Sequence, residues 1–229
     1  MGVGWGVGYN VSSSLWIKAG LEKKHLTTFF IINFLFGWLG AKVFFLLFSK
    51  ADQALTYSQE INFWLGGGFV FYGGFFFAIL ASLIYTRLNK KLKFSDFAIV
   101  VPGLAIGHAI GRLGCFFAGC CYGKLCYLPK HLNIFKFERH PVQIYEAIFL
   151  LIIYGITKRQ ITKNIKNIVV IATYFLIYGL LRFFNEFLRG DLIRGIYFGV
   201  STSQWGSILL ILLGIFLIYR EKLLKDHDS

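Results

Sequence analysis

The chain has 229 residues, of which 56% are hydrophobic and only 15% are charged, and its mean hydropathy is +0.63. A soluble domain usually has about a quarter of its residues charged, so a soluble globular protein is excluded. The net charge of +13 would suggest nucleic acid as a partner of a soluble protein. Here the basic residues lie in short segments between apolar runs, which indicates membrane topology and no nucleic-acid partner.

Seven apolar segments approach the length of a membrane-spanning helix, about 20 mostly apolar residues. In chain order they cover residues 2–17, 26–48, 64–86, 97–118, 142–157, 167–188 and 204–219. The first segment is short and lacks the basic region of a cleavable signal peptide, so none is expected. The sequence therefore predicts one all-α polytopic membrane domain over residues 1–229, with about seven transmembrane helices.

The basic residues divide unequally between the two sides of the predicted membrane. Fourteen of the 24 Lys and Arg residues lie after the first, third, fifth and seventh segments, and seven lie on the opposite side. Basic segments stay in the cytoplasm. We therefore predict an external N-terminus and a cytoplasmic C-terminus, with a short solvated tail after Tyr219.

Charged residues within the apolar segments are the first functional signal. An arginine at the centre of a membrane helix costs at least about 2.5–3.5 kcal/mol. Arg112 lies in the fourth segment, and Arg182 and Glu186 lie in the sixth. Arg189, just past the end of the sixth, continues the same helical face. An internal salt bridge is one explanation, but the excess of positive charge favours an anion. Phosphate matches the planar guanidinium group.

Two more polar residues, His140 and Gln143, lie at the start of the fifth segment. In the predicted topology this start faces outward, as do the ends of the fourth and sixth segments that carry the arginines. Purely structural polar residues would be expected at both faces. The sequence therefore predicts an anion site at the outer face of the membrane.

Glycines surround Tyr72 in the third segment, at Gly66–Gly68 and at Gly73–Gly74. Small residues usually let membrane helices approach closely. They also permit a broken helix that lines a cavity. Close packing is the commoner cause, and both interpretations stay open at this stage.

Four cysteines cluster at the end of the fourth segment, in the spacing C-x4-C-C-x4-C: Cys115, Cys120, Cys121 and Cys126. This spacing departs from that of zinc sites, and we expect no metal. The predicted outer location is oxidising. We therefore predict a structural disulfide from Cys120 or Cys121 to Cys115 or Cys126, with reactive thiols near Arg112 as the alternative.

Four parts of the chain resemble the prolipoprotein diacylglyceryl transferase family: GGGFVFYGG (66–74), PGLAIGHAIGRLGCFFAGCCYG (102–123), RHPVQIYEA (139–147) and YGLLRFFNEFLRGD (178–191), with STSQWGS (201–207) after them. The resemblance implies a bacterial plasma-membrane enzyme, surrounded by membrane lipids, whose site opens to the outer leaflet. It also implies the reaction, which needs no cofactor. The diacylglyceryl group of phosphatidylglycerol passes to the lipobox cysteine of a preprolipoprotein, forming a thioether and releasing glycerol phosphate.

The resemblance also implies which residues bind the lipid phosphate. Arg112 matches the family's signature arginine, and Arg182 matches the essential arginine of the sixth segment. Tyr178 and Arg189 are the matching neighbours of Arg182, and Gln143 completes the predicted binding set.

A base must take the proton of the acceptor thiol before the thiolate attacks. The family usually has a histidine for this role in its Gly-Gly motif, where this chain has Tyr72. His140, His108 or Glu186 could replace it, and we favour His140.

Two other positions depart from the family pattern. Cys115 stands in place of the usual asparagine, and Cys120 stands in place of an acidic residue. Two alternatives therefore remain: a divergent paralogue that uses another acceptor, and a non-catalytic lipid-binding or transport protein. A transporter would usually show paired inverted halves, and the glycine stretch at 66–74 has no second copy.

Overall fold

The computed structural model describes residues 2–48, 59, 61, 63, 71–89, 91–126, 138–190 and 196–227. These residues contain seven α-helices: α1 (Gly2–Lys18), α2 (Lys23–Phe48), α3 (Phe71–Leu88), α4 (Val101–Phe117), α5 (Val142–Thr162), α6 (Asn167–Leu188) and α7 (Thr202–His227). A 3-10 helix, Phe94–Val100, leads into α4. An antiparallel hairpin of β1 (Ile196–Tyr197) and β2 (Val200–Ser201) precedes α7.

Four of the described helical segments are long and apolar enough to cross a membrane: Lys23–Leu47, Ser95–Phe117, Asn167–Leu188 and Thr202–Leu223. Large apolar side chains stay exposed along these helices and along α3, such as Leu47, Phe76, Phe184 and Leu212. Such a surface is unfavourable in water and stable in lipid, where each helix satisfies its own backbone hydrogen bonds. The chain is an all-α, multi-pass membrane protein.

Each of the seven predicted segments overlaps a helix, and the sixth has the predicted bounds. Two helices end five or more residues later than predicted. α5 continues to Thr162, and α7 continues to His227. The tail after Tyr219 is therefore helical to His227, with Arg220 and Lys222 exposed. Lys, Arg, Glu and Leu predominate in these extensions, and all four have high helix propensity.

The chain divides into two compact units, one of Trp16–Asp96 and one of Met1–Leu15 with Phe97–Ser229. In the first, α2 and α3 touch through their backbones. A Cβ added to Gly73 would lie 2.4 Å from the carbonyl oxygen of Gly40. Gly73 and Gly74 lie within α3, so close packing explains them. The side chain of Tyr72, in the first turn of α3, and the whole of Gly66–Gly68 lie outside the described residues.

In the other unit, the same kind of contact joins α1 to α4. A Cβ on Gly4 would lie 2.6 Å from the carbonyl oxygen of Gly107, and one on Gly8 would lie 2.8 Å from that of Gly103. Both helices carry the two glycines at a spacing of four residues, which places them on one face. Gly4 and Gly8 of the first segment therefore form a packing surface for α4.

The core of this unit is a layer of small and apolar side chains between α4, α5 and α6. Ala105 and Ala109 come from α4, Leu150 and Ile153 from α5, and Tyr174 from α6. This layer sets the register of the three helices. One helical turn beyond it, each of the three helices contributes a polar residue to a common cluster.

Candidate active site

A buried carboxylate on α5 is the centre of this polar cluster. Glu146 is 2% exposed. Its Oε1 atom lies 3.0 Å from Arg112 Nε and accepts a hydrogen bond from the Tyr178 hydroxyl at 3.0 Å. Its Oε2 atom lies 4.0 Å from NH1 of Arg182. Glu146 therefore links α5 to both α4 and α6.

The packed core places these groups at one level. Arg112 follows Ala109 by one turn on α4, and Glu146 precedes Leu150 by one turn on α5. Tyr178 follows the tyrosine of the core by one turn on α6. Because the core residues pack in one layer, the polar residues one turn away meet in the next.

Arg182 makes two further contacts. Its NH2 atom lies 3.1 Å from Glu186 Oε2, one turn along α6, and donates a hydrogen bond to Ser203 Oγ at 2.9 Å. Its NH1 atom is buried and has no hydrogen-bond partner among the described residues. A buried unsatisfied donor is costly, typically about 1–3 kcal/mol, and is a candidate contact for an anionic ligand.

The charge balance of the cluster differs from that expected from the sequence. The sequence interpretation counted an excess of positive charge around Arg112 and Arg182. The structure adds Glu146 to Glu186, so that two guanidinium groups face two carboxylates. Sequence reasoning missed Glu146, although it is the only acidic residue of the predicted segment 142–157. An isolated carboxylate at membrane depth is itself a functional signal.

The two candidate histidines occupy different places. His108 Nε2 lies 3.8 Å from Glu146 Oε1, and the His108 ring contacts Tyr178 edge-on at a centroid distance of 5.1 Å. His140 lies just before α5, with its ring 6.4 Å from that of Tyr145. Its Nδ1 atom is buried and makes no hydrogen bond within the described part of the chain. Only His108 is thus seen in contact with the carboxylate at the centre.

The loop after α4 is attached to the start of α5 and the end of α6. Gln143 Nε2 donates a hydrogen bond to the Cys120 carbonyl at 2.6 Å. The backbone N–H of Gly123 donates to the His140 carbonyl at 3.1 Å. A Cβ on Gly123 would lie 2.4 Å from that oxygen and 3.0 Å from the Leu188 carbonyl oxygen. Only glycine fits there without displacing the loop.

Apart from Tyr72 of α3, the remaining predicted site residues lie in or beside these elements. The structure brings Arg112, Arg182, Tyr178 and Glu186 into one cluster. Arg189 caps the C-terminus of α6, is 9% exposed, and forms a backbone bridge with Gly123 of the attached loop.

All four cysteines are free thiols in the structure, so the predicted disulfide is not formed there. Instead, the Sγ atoms of Cys115, Cys120 and Cys121 lie within 4.8 Å of one another, close enough to hold one metal ion. Desolvation and the neighbouring thiols raise the pKa of Cys120 to about 11, so this thiol is protonated at neutral pH.

The sequence profile of prolipoprotein diacylglyceryl transferases matches residues 1–220. A phosphatidylglycerol–prolipoprotein diacylglyceryl transferase of Clostridium tetani is 33% identical over 218 residues, covering 91% of this chain and 86% of the relative. The phosphatidylglycerol–prolipoprotein diacylglyceryl transferase 2 of Clostridium perfringens is 31% identical, covering 98% of this chain and 91% of the relative. The phosphatidylglycerol–prolipoprotein diacylglyceryl transferase of Methylobacillus flagellatus is 30% identical, covering 89% of this chain and 80% of the relative.

These matches extend over nearly the whole chain, including the arginine-bearing helices and the attached loop. The resemblance seen in four separate motifs is thereby confirmed, and an enzyme is favoured over a transporter or a passive lipid-binding protein. The chain belongs to the prolipoprotein diacylglyceryl transferase family and is a membrane-embedded transferase.

Proposed function

We propose that this chain transfers the diacylglyceryl group of phosphatidylglycerol to the lipobox cysteine of a preprolipoprotein. The thiolate attacks the glyceryl carbon that carries the phosphate ester, and the carbon–oxygen bond breaks. A thioether forms, glycerol phosphate leaves with the bonding electrons, and a base of the enzyme takes the thiol proton. The names of the relatives support the choice of substrates.

Arg112 and Arg182 hold the lipid phosphate in this proposal. The observation that carries it is the convergence of two guanidinium groups on Glu146, with the buried NH1 of Arg182 left unsatisfied. A phosphate oxygen could accept from that NH1. Charge-assisted bonds to phosphate strengthen as the leaving group gains charge, so the same contacts would bind the lipid and promote its cleavage.

Glu146 is a positioning residue in this proposal. It contacts Arg112 through Nε and accepts from Tyr178. A guanidinium group has five N–H donors, so contact through Nε leaves donors on the terminal nitrogens for other acceptors. Asn185 Nδ2 donates to Glu146 Oε2 at 3.4 Å, which fixes the carboxylate from the α6 side. Arg189, Gln143 and Tyr178 complete the phosphate-binding set.

The proton acceptor is a choice between two histidines. His108 is supported by its contact with Glu146, and His140 is supported by its buried Nδ1 without a hydrogen-bond partner among the described residues. Glu186 is already engaged with Arg182, which makes it a weaker base. Tyr72 remains a catalytic candidate on sequence grounds.

We further propose that all seven helices cross the bacterial plasma membrane in one polytopic domain, with the N-terminus outside. The charge asymmetry of the connecting segments supports this orientation. The polar cluster lies near the C-terminal end of α4 and the N-terminal start of α5. In this topology both ends face outward, so the site opens to the outer leaflet.

The reaction is tested with purified full-length protein, labelled phosphatidylglycerol and a lipobox peptide. We expect the peptide to gain the mass of one diacylglyceryl group and glycerol phosphate to be released in equal amount. A peptide with serine in place of the lipobox cysteine is the control. Release of glycerol phosphate with no change in the peptide would indicate a different acceptor, and no turnover of the lipid would contradict the proposal.

A further inference from the structure

Two left-handed residues fold the chain back just after α4. Gly119 has φ +66° and Cys121 has φ +60°. The backbone N–H of Cys120 donates to the carbonyl of Cys115 at 3.1 Å, which closes the end of the helix. As a result, the sulfur atoms of Cys115, Cys120 and Cys121 come within 4.8 Å of one another.

Cys121 adopts a backbone conformation that favours glycine. A residue with a Cβ rarely adopts a positive φ, and glycine does so without steric cost, as Gly119 does here. Successive side chains of an extended chain point to opposite sides. The left-handed turn instead brings the two adjacent thiols to the same side, where Cys115 also lies. Backbone strain of this kind is characteristic of functional sites.

We propose that Cys115, Cys120 and Cys121 bind a soft, thiophilic metal cation. Thiolate ligands select such cations, including Cu(I) and Zn²⁺. A structural zinc site needs four protein ligands, whereas Cu(I) accepts three thiolates as a complete set. Cu(I) is therefore the probe that best matches the three sulfur atoms found together.

The charge around the cluster suits this complex. Binding of Cu(I) displaces three thiol protons and leaves the metal at the same oxidation state, so the complex carries a net charge of 2−. Arg112 lies one turn before Cys115 and interacts with it electrostatically, which would offset part of that charge. The Gln143 hydrogen bond to the Cys120 carbonyl holds the loop in place. Neither the lipid nor the acceptor thiol takes part in cation binding. A test of the cation site is therefore independent of the proposed transferase reaction.

Cu(I) binding to the reduced, full-length protein in detergent tests the inference. The protein is titrated anaerobically against a competing Cu(I) chelator, and retained copper is measured after gel filtration. We expect one Cu(I) per chain, with three sulfur neighbours by X-ray absorption. Cys115→Ser, Cys120→Ser and Cys121→Ser should each weaken binding by more than about tenfold, since even outer-shell partners of metal ligands typically contribute ten- to hundredfold.

Cys126→Ser is the matched control, because Cys126 is a free thiol of the same loop outside the three-sulfur group. It should bind Cu(I) as the unmodified protein does. A single symmetric elution peak and an unchanged unfolding midpoint confirm that each variant is folded. If the unmodified protein retains no more copper than Cys115→Ser does, the inference is overturned. An equal loss of Cu(I) binding in Cys126→Ser would also overturn it. So would a protein that has a disulfide within the cluster and retains no copper after that disulfide is reduced.

Discussion

Arg112 Nε on α4 lies 3.0 Å from Glu146 Oε1 on α5, and the two side chains are only 17% and 2% exposed. Neither charge would be stable alone at membrane depth, and each offsets the desolvation cost of the other. The pair thus joins two helices at the level of the proposed phosphate site. Its structural role and its proposed catalytic role are separable, because stability and turnover can be measured independently.

Replacing Arg112 should abolish most of the transferase activity. Arg112→Ala is expected to lower turnover roughly 30- to 1000-fold, because a contact that stabilises the leaving phosphate contributes about 2–4 kcal/mol. Arg112→Lys should fail nearly as badly, since a point charge cannot replace a planar two-pronged donor. The same loss is expected for Arg182→Ala. The peptide assay measures each rate, with the exposed Arg159→Ala as the matched control. Near-normal turnover in Arg112→Ala would remove the phosphate role.

Replacing Glu146 should reduce stability as well as activity. Glu146→Gln leaves Arg112 and Arg182 with one carboxylate between them, and breaking a buried ion pair typically costs about 3–5 kcal/mol. Unfolding in detergent measures the change. Glu22→Gln is the control, because Glu22 is an exposed carboxylate 3.6 Å from Lys91, and such pairs contribute about 0–1 kcal/mol. Equal, small effects of the two changes would show that Glu146 does not hold the cluster.

The two histidines can be distinguished by pH. Replacing whichever histidine is the base, by His108→Asn or by His140→Asn, should lower the rate roughly 10²- to 10⁴-fold. Raising the assay pH toward the ordinary thiol pKa of about 8.5 ionises the acceptor cysteine without a base. The rate of that variant should therefore recover with pH, whereas a purely structural defect should not. Full activity of both variants at neutral pH would exclude both assignments.

Gly123→Ala should displace the loop that joins α4 to α5. The added Cβ would lie 2.4 Å from the His140 carbonyl oxygen, 2.7 Å from the His140 Cβ and 3.0 Å from the Leu188 carbonyl oxygen. The two carbonyl oxygens belong to the backbone, which cannot move aside cheaply. We expect a lower unfolding midpoint and reduced turnover. Gly155→Ala in α5 meets nothing within 4 Å and should be neutral or stabilising by about 0.5–1 kcal/mol. A Gly123→Ala protein as stable as Gly155→Ala would refute this role of the loop.

Reporter fusions test the orientation. A reporter joined after residue 164, in the turn between α5 and α6, should be cytoplasmic, because this turn and its flanks are rich in basic residues. A reporter joined after residue 130 should be external. Reversal at both positions would place the site at the inner leaflet and contradict the proposed topology.

The helices could be predicted because each apolar run carries its own signal. The segment at 167–188 has the same bounds in the sequence and in the structure. The end of α5 was harder to predict, since Lys158 and Arg159 look like loop residues. Long basic side chains can extend to the membrane surface from within a helix, so the helix continues past them to Thr162.

The sequence by itself determined the membrane class, the approximate positions of the apolar helices that the structure describes, and the arginines of the proposed anion site. These properties depend on composition and on spacing along one helix. The tertiary structure alone decided that Arg112 and Arg182 meet at Glu146, that His108 lies beside that carboxylate, and that three thiols converge. Such contacts depend on the register between helices. That register is set by the packing of small residues such as Ala109 against neighbouring helices, and helical periodicity within one segment carries no information about it.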